Sequence, residues 1–186
     1  TVYHTYGMTE TLTHVAIRKV SPEPWHYFQA MPGTSFRQDE QERLIIDTPL
    51  WDTPVNTNDR VRLLDQHYFQ WLGRADFVIN SGGYKIQTEQ VEYQIASTIA
   101  EYELSLPNFF LASVPDGALG ERAILILESS SAFLDAQQHQ LDQALRAYLP
   151  RYAVPKDYYA TPAFAYTHSG KLDRATTLQQ LNLVQE

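Results

Sequence analysis

Two uninterrupted apolar runs, Phe109-Phe110-Leu111-Ala112 and Ala123-Ile124-Leu125-Ile126-Leu127, limit most sharply what this chain can fold into. They read as strands over 108–114 and 121–128, joined by the turn formers of Pro115-Asp116-Gly117-Ala118-Leu119-Gly120. Their composition implies a sheet covered by helices on one face. Neither run approaches the ~20 apolar residues needed to cross a bilayer, so no membrane span is expected.

The covering helices can be read on either side of this pair. Thr88 is a good N-cap for a helix running to about Glu103, with Val91, Ile95, Ile99 and Tyr102 at helical spacing on its buried face. A second helix over 134–148 carries Leu141, Leu145 and Leu149 on one stripe and stops at Pro150. A last strand is expected near Tyr158 and a short terminal helix over 175–184. Upstream, two short apolar runs, 77–79 and 84–86, flank Gly82-Gly83 and read as a hairpin whose tip presents backbone N–H groups.

Before that hairpin the texture changes. Residues 19–58 read as short strands and turns punctuated by Pro22, Pro24, Pro32, Pro49 and Pro54. Leu44-Ile45-Ile46 and Val61-Arg62-Leu63-Leu64 are strand candidates, and Tyr68-Phe69-Gln70-Trp71-Leu72 follows the latter through an Asp65-Gln66 turn. Gly73-Arg74-Ala75-Asp76 marks a break. The fold class is therefore α+β: a β-rich part over 1–73, then a compact α+β domain over 74–186 with a small sheet flanked by helices.

Composition removes several function classes. A net charge of −8 and a pI near 5.2 leave no basic stripe to displace counterions from nucleic acid. With no cysteine there is no disulfide, thiolate zinc site or cysteine nucleophile, which fits a reducing, cytoplasmic setting. The six histidines show no metal-ligand spacing, and no Gly-x-Ser-x-Gly is present. The chain opens at Thr1 without an initiator Met and is read as a fragment whose N-terminal part lies elsewhere.

Three stretches carry residues suited to chemistry. Tyr6-Gly7-Met8-Thr9-Glu10-Thr11 sets hydroxyls and a hard carboxylate directly after a glycine. That grouping can line a nucleotide or Mg²⁺ site, or can simply be a strand end entering a turn with Thr9 as its cap. Asp59, read as sitting at a turn just before a strand, can accept from two adjacent hydroxyls, as on a ribose, or close an Asx-turn on its own backbone. Lys171, after Ser169-Gly170, is a point charge on a long stem in a loop that glycine lets approach a ligand; by itself it reads as a solvated turn.

Together and in order, these stretches resemble the motifs of the adenylate-forming superfamily of acyl-CoA synthetases, nonribosomal adenylation domains and luciferases. The matching segments are Tyr6–Thr11, Thr57-Asn58-Asp59, Gly73–Asp76 with Ser81-Gly82-Gly83-Tyr84-Lys85-Ile86, Leu149-Pro150-Arg151-Tyr152-Ala153-Val154-Pro155, and Tyr166–Lys171. The resemblance implies an ATP-dependent ligase that joins a small carboxylic acid to a thiol, CoA as co-substrate, through an acyl-AMP. It implies that Tyr6 flanks adenine, that Gly7, Met8 and Thr9 line the nucleotide and phosphates, and that Glu10 holds Mg²⁺. It further implies that Asp59 takes the ribose with Arg74 beside it and that Asp76 is a hinge. Ser81, Gly82, Gly83 and Tyr84 would line the pantetheine channel, and Lys171 would be the catalytic lysine, assisted by Glu10 and Thr9.

Within the superfamily, Ile79–Ile86 and the short Glu10–Asp59 spacing look most like o-succinylbenzoate–CoA ligases of menaquinone synthesis. His14 reads equally as a neighbour of the acyl site and as a satisfied core histidine. A carrier-protein thiol in place of CoA, a non-catalytic nucleotide-binding relic, and a homodimer all remain open. Three positions depart from the family pattern: Asn58 for Gly, Phe77 for a second Asp, and Ala165 for Pro. The phosphate-binding loop and most of the acyl pocket are not in these 186 residues, so the chain alone is expected not to adenylate an acid.

Overall fold

The computed structural model describes residues 1–101 and 106–183, and the chain divides into two compact units, Thr1–Asp76 and Phe77–Glu186. Among the described residues no helix is long and apolar enough to cross a membrane.

The first unit is a seven-stranded antiparallel sheet. Its strands are β1 (Val2–Gly7), β2 (His14–Ser21), β3 (Phe28–Ala30), β4 (Ser35–Gln38), β5 (Arg43–Asp47), β6 (Val55–Asp65) and β7 (Tyr68–Arg74), in the order β1-β2-β3-β7-β6-β5-β4. Alternate residues point inward and close a core of Val15, Phe28, Phe36, Leu44, Ile46, Val61 and Phe69. Phe69 is its centre: it stacks on Phe28 and meets Phe36 and Tyr6 edge-on. Asp59 lies within β6 and not at a turn before it. Thr57, Asp59 and Val61 are the alternate buried residues of that strand, and this burial overrides the turn preference of Asn and Asp.

The second unit begins with a hairpin, β8 (Val78–Ser81) and β9 (Tyr84–Gln87). Gly82 and Gly83 sit at φ 56° and 83°, the left-handed pair that a two-residue hairpin loop requires. Helix α1 (Thr88–Glu101) follows; the expected continuation through Tyr102 to Glu103 lies outside the described residues. Strands β10 (Phe109–Asp116) and β11 (Gly120–Glu128) pair residue for residue, α2 (Ser131–Tyr148) is capped by the Ser130 hydroxyl, and β12 (Asp157–Thr161) runs parallel to β11. A short helix α3 (Arg174–Gln180) is capped by Asp173.

One expectation is corrected here. The central pair is covered on both faces. Leu111, Ala123, Leu125 and Leu127 face α1 and α2, whereas Phe110, Ala112, Val114, Ile124 and Ile126 face Phe164, Leu178 of α3 and Leu181 just after it. Two buried faces explain why these strands are continuously apolar, where a half-exposed strand would alternate.

Candidate functional site

In the first unit two of the expected nucleotide residues, Tyr6 and Arg74, meet at Asp59, whereas Gly7, Met8 and Thr9 lead from Tyr6 into the turn that follows it. The Asp59 carboxylate is buried, and both oxygens are engaged: the Tyr6 hydroxyl donates to Oδ2 at 2.5 Å and the Trp71 indole N–H to Oδ1 at 3.2 Å. The Asp59 backbone N–H donates to the Thr57 hydroxyl (3.1 Å), which donates to the Leu44 carbonyl (2.9 Å). One donor on each oxygen orients the carboxylate, and a carboxylate has further lone pairs with which an acid can accept a vicinal diol. Asp59 and Arg74 are register partners across β6 and β7, so a cation sits opposite the acid.

Tyr6 is held edge-on to Phe69 and tilted against Phe28, with its hydroxyl committed to Asp59. Burial first, then the charge and the hydrogen bond of Asp59, push that hydroxyl well above the ordinary tyrosine range. The folded value lies above the unfolded one. The contribution of this hydroxyl to stability is therefore complete below about pH 10 and is lost as pH rises beyond it. Tyr6→Phe is expected to lower stability at neutral pH by roughly 1.5–3 kcal/mol and to flatten the alkaline decline, as read from urea midpoints between about pH 8 and 11. An alkaline decline of the same steepness in both proteins would assign it elsewhere.

Directly after Tyr6, the pairing of β1 with β2 shifts register at Gly7. A Cβ there would lie 2.6 Å from the Thr13 carbonyl oxygen and 2.8 Å from the His14 Cα, so only glycine permits this approach of β1 to β2. Met8, not Thr9, precedes the 3-10 turn Thr9–Thr11, and buried Thr11 locks the turn: its hydroxyl accepts from the Met8 N–H and shares its one proton between the Thr13 and Met8 carbonyls. Thr9 and Glu10 are thereby left exposed, and the Glu10 carbonyl accepts from the Trp51 indole at 2.7 Å. His14 is exposed at the start of β2, which removes the core-histidine reading.

At the end of this unit Asp76 is exposed and accepts from Arg74 (2.5 Å) and from the Asn58 amide (3.2 and 3.4 Å). Asn58, one of the departures from the family pattern, thus acts on the expected hinge residue.

In the second unit, Ser81, Gly82 and Tyr84 line a cavity of ≈ 330 Å³ with Leu119, Arg151, Tyr152 and Lys156. Tyr84 stacks flat on Tyr152, centroids 4.5 Å apart at 2°, and the Gly82 N–H is committed to the Leu119 carbonyl at 2.9 Å. Gly83 has open space above it. Lys171 stands on another loop, closed by a bridge between Tyr166 and Leu172. Thr167 organises that loop: its hydroxyl accepts from the Lys171 N–H (3.1 Å), its N–H donates to the Lys171 carbonyl (2.8 Å), and Gly170 turns at φ 76°. The Lys171 side chain is exposed.

Two residues of consequence had no assigned role in the sequence reading. Trp71 is visible locally only as an aromatic on a strand; that its indole reaches Asp59 follows from the β6–β7 register. Arg174 pairs with Glu92, 82 positions earlier, and no local pattern connects them.

No family model matches the chain. It is 36% identical, with TM-score 0.55 over 96% of this chain and 51% of the other, to an acyl-CoA synthetase (AMP-forming)/AMP-acid ligase II-like protein from Dyadobacter fermentans. It is 26% identical over 97% of its length to the D-alanine–D-alanyl carrier protein ligase of Staphylococcus haemolyticus, and 31% identical over 67% to the human mitochondrial acyl-coenzyme A synthetase ACSM5. The chain spans 42% and 21% of those two proteins, and about half of the first. These likenesses support placing it in the adenylate-forming superfamily of acyl-CoA synthetases and AMP ligases.

Proposed function

We propose that this chain is part of an ATP-dependent acid–thiol ligase acting through an acyl-AMP. The observation that carries the reading is the buried Asp59 carboxylate, oriented by Tyr6 and Trp71 opposite Arg74. A fixed acid of this kind suits the two ribose hydroxyls of a nucleotide, with Thr9 and Glu10 exposed on the turn that follows Tyr6. In the first step a substrate carboxylate oxygen attacks the α-phosphorus of ATP and pyrophosphate leaves. In the second a thiol sulfur attacks the acyl carbon, AMP leaves and the thiol proton passes to solvent.

Among the described residues no three His, Asp or Glu cluster as a metal cage. A single exposed carboxylate, Glu10, fits a Mg²⁺ that keeps water and phosphate oxygens as its other ligands, and such an ion would offset charge building on the phosphates. Lys171, carried on its loop, supplies the cation at the α-phosphate. Asp76, the last residue of the first unit, is the hinge in this reading, and Ser81, Gly82, Gly83 and Tyr84 line the thiol's path.

The narrower reading takes o-succinylbenzoate as the acid and CoA as the thiol, and rests on the Ile79–Ile86 string. A carrier-protein thiol is the second reading, favoured by the likeness to a D-alanyl carrier protein ligase along nearly the whole chain. An acid panel with the intact protein separates them. One acid is expected to drive ATP–pyrophosphate exchange, and either CoA or a phosphopantetheinylated carrier to release AMP. Absence of exchange with every acid, in a protein that still binds ATP, would sink the ligase reading.

A further inference from the structure

The charge buried most completely in ion-pair contact in the second unit lies outside every residue assigned above. The Arg174 guanidinium meets Glu92 as a fork, Nη1 to Oε1 at 2.8 Å and Nη2 to Oε2 at 2.9 Å, with both side chains less than a fifth exposed. Nη1 also donates to the Leu111 carbonyl (3.3 Å) and the Thr88 hydroxyl (3.4 Å), while Glu92 Oε1 accepts from the Leu111 N–H at 2.7 Å. The flat face of the same guanidinium covers the Phe77 ring at 4.4 Å from its centroid and lies 5.5 Å from that of Phe110. One side chain therefore joins α3, the first two turns of α1, β10 and the first residue after Asp76.

Such a network is an expensive way to build a core. A buried ion pair often contributes no more stability than apolar residues of the same volume, but it fixes geometry, because a planar fork accepts one arrangement of partners. What it fixes here is informative. Arg174 stands three positions after Lys171, and Asp173 between them donates its N–H to Ala165, closing the base of the Lys171 loop. At the other end Phe77 follows directly on Asp76. Phe77 is also where the family pattern has a second acid, and an aromatic ring there is what a guanidinium can stack on.

We propose that Arg174 is a positioning residue: with Glu92 it clamps the base of the Lys171 loop to Phe77, so that Lys171 moves as one body with the chain leaving the hinge. The role of Lys171 in this statement rests on the ligase reading given above. Turning the backbone at Asp76 then carries the lysine through a defined arc, and loosening the clamp blurs where it arrives. The interaction is geometric more than coulombic, so keeping the charge while losing the fork is the informative change.

Arg174→Lys and Glu92→Gln in the intact protein test the clamp in two ways. In Glu92→Gln, which adds no lysine, cleavage by a lysine-specific protease after Lys171 should quicken roughly tenfold, as expected when a few charged hydrogen bonds restraining a local opening are removed, while cleavage after Lys156 in the same unit stays unchanged. Acyl-AMP formation should fall roughly tenfold in kcat at unchanged KM for ATP, with thioester synthesis from supplied acyl-AMP spared. Parallel quickening at Lys156 and Lys171, or equal loss of both half-reactions, overturns the proposal in favour of a structural ion pair. Lys171→Ala serves as the control for the underlying reading. If that change leaves acyl-AMP formation intact, the catalytic role of Lys171 falls, and the ratio of the two cleavage rates alone decides whether the clamp exists.

Discussion

Lys171→Ala is expected to slow acyl-AMP formation by about a hundred- to a thousandfold and to leave thioester synthesis from supplied acyl-AMP close to normal. The magnitude is that of removing one preorganised charge from a site where negative charge develops. The asymmetry follows from the loop. Thr167 fixes the Lys171 backbone through two hydrogen bonds, yet the side chain reaches into solvent, so its cation has no structural duty within its own unit. Removing it should leave folding unaffected, as exposed substitutions usually do. In the proposed chemistry a cation is needed while the pentavalent phosphorus forms, and not while a thiol displaces AMP. Acid-dependent pyrophosphate exchange measures the first step, and AMP release from synthetic acyl-AMP and thiol the second. Equal loss of both would contradict the separation. Lys171→Arg is expected to restore little, since a planar fork on a different stem does not reproduce a compact ammonium.

Phe69→Ala is expected to cost about 3–5 kcal/mol, the range for deleting a fully enclosed aromatic side chain. Domains are commonly stable by about 5–15 kcal/mol in all, so this loss threatens the whole first unit. Three rings lie 4.9–5.3 Å from its centroid, and none can close the void without leaving its own strand. One of the three is Tyr6. The substitution therefore acts on the candidate site without touching it: Tyr6 loses its seat, and Asp59 loses a fixed donor. Denaturant unfolding followed by tryptophan fluorescence should show an early transition, reported by Trp25, Trp51 and Trp71, which all lie in the first unit. A later transition by circular dichroism should report the second unit. A single transition at the wild-type midpoint would mean that the core collapses around the vacancy far better than its packing suggests.

The parts of this molecule that sequence reasoning reached are those whose cause is local. The β8–β9 hairpin follows from Gly82-Gly83, which two strands can use only as a tight left-handed turn. The stripe Leu141, Leu145 and Leu149 lies against the sheet as its spacing requires. Where causes are distant, reading failed. Asn58 and Asp59 prefer turns, and only the pairing of β6 with β5 and β7 carries a strand through them. The second covered face of the central sheet depends on α3, built from residues far along the chain. The candidate site divides in the same way. Tyr6, Asp59, Arg74 and Lys171 could be singled out from motif order, whereas Trp71 and Arg174 owe their places to register and tertiary packing.

The parallel pairing of β11 with β12 has a consequence for how the second unit comes into being. Synthesis proceeds from the N-terminus, so β11 exists, apolar on both faces, before the strand that pairs with Ile124–Glu128 has been made. At about 5–20 residues per second, the interval between the emergence of Glu128 and that of Thr161 lasts roughly two to seven seconds. During it, β11 offers an open, sticky edge to other nascent chains. A ribosome pause that holds β11 outside the exit tunnel while β12 is still within it would lengthen that exposure, and slow codons there should lower the yield of native protein more than the same codons placed within α2.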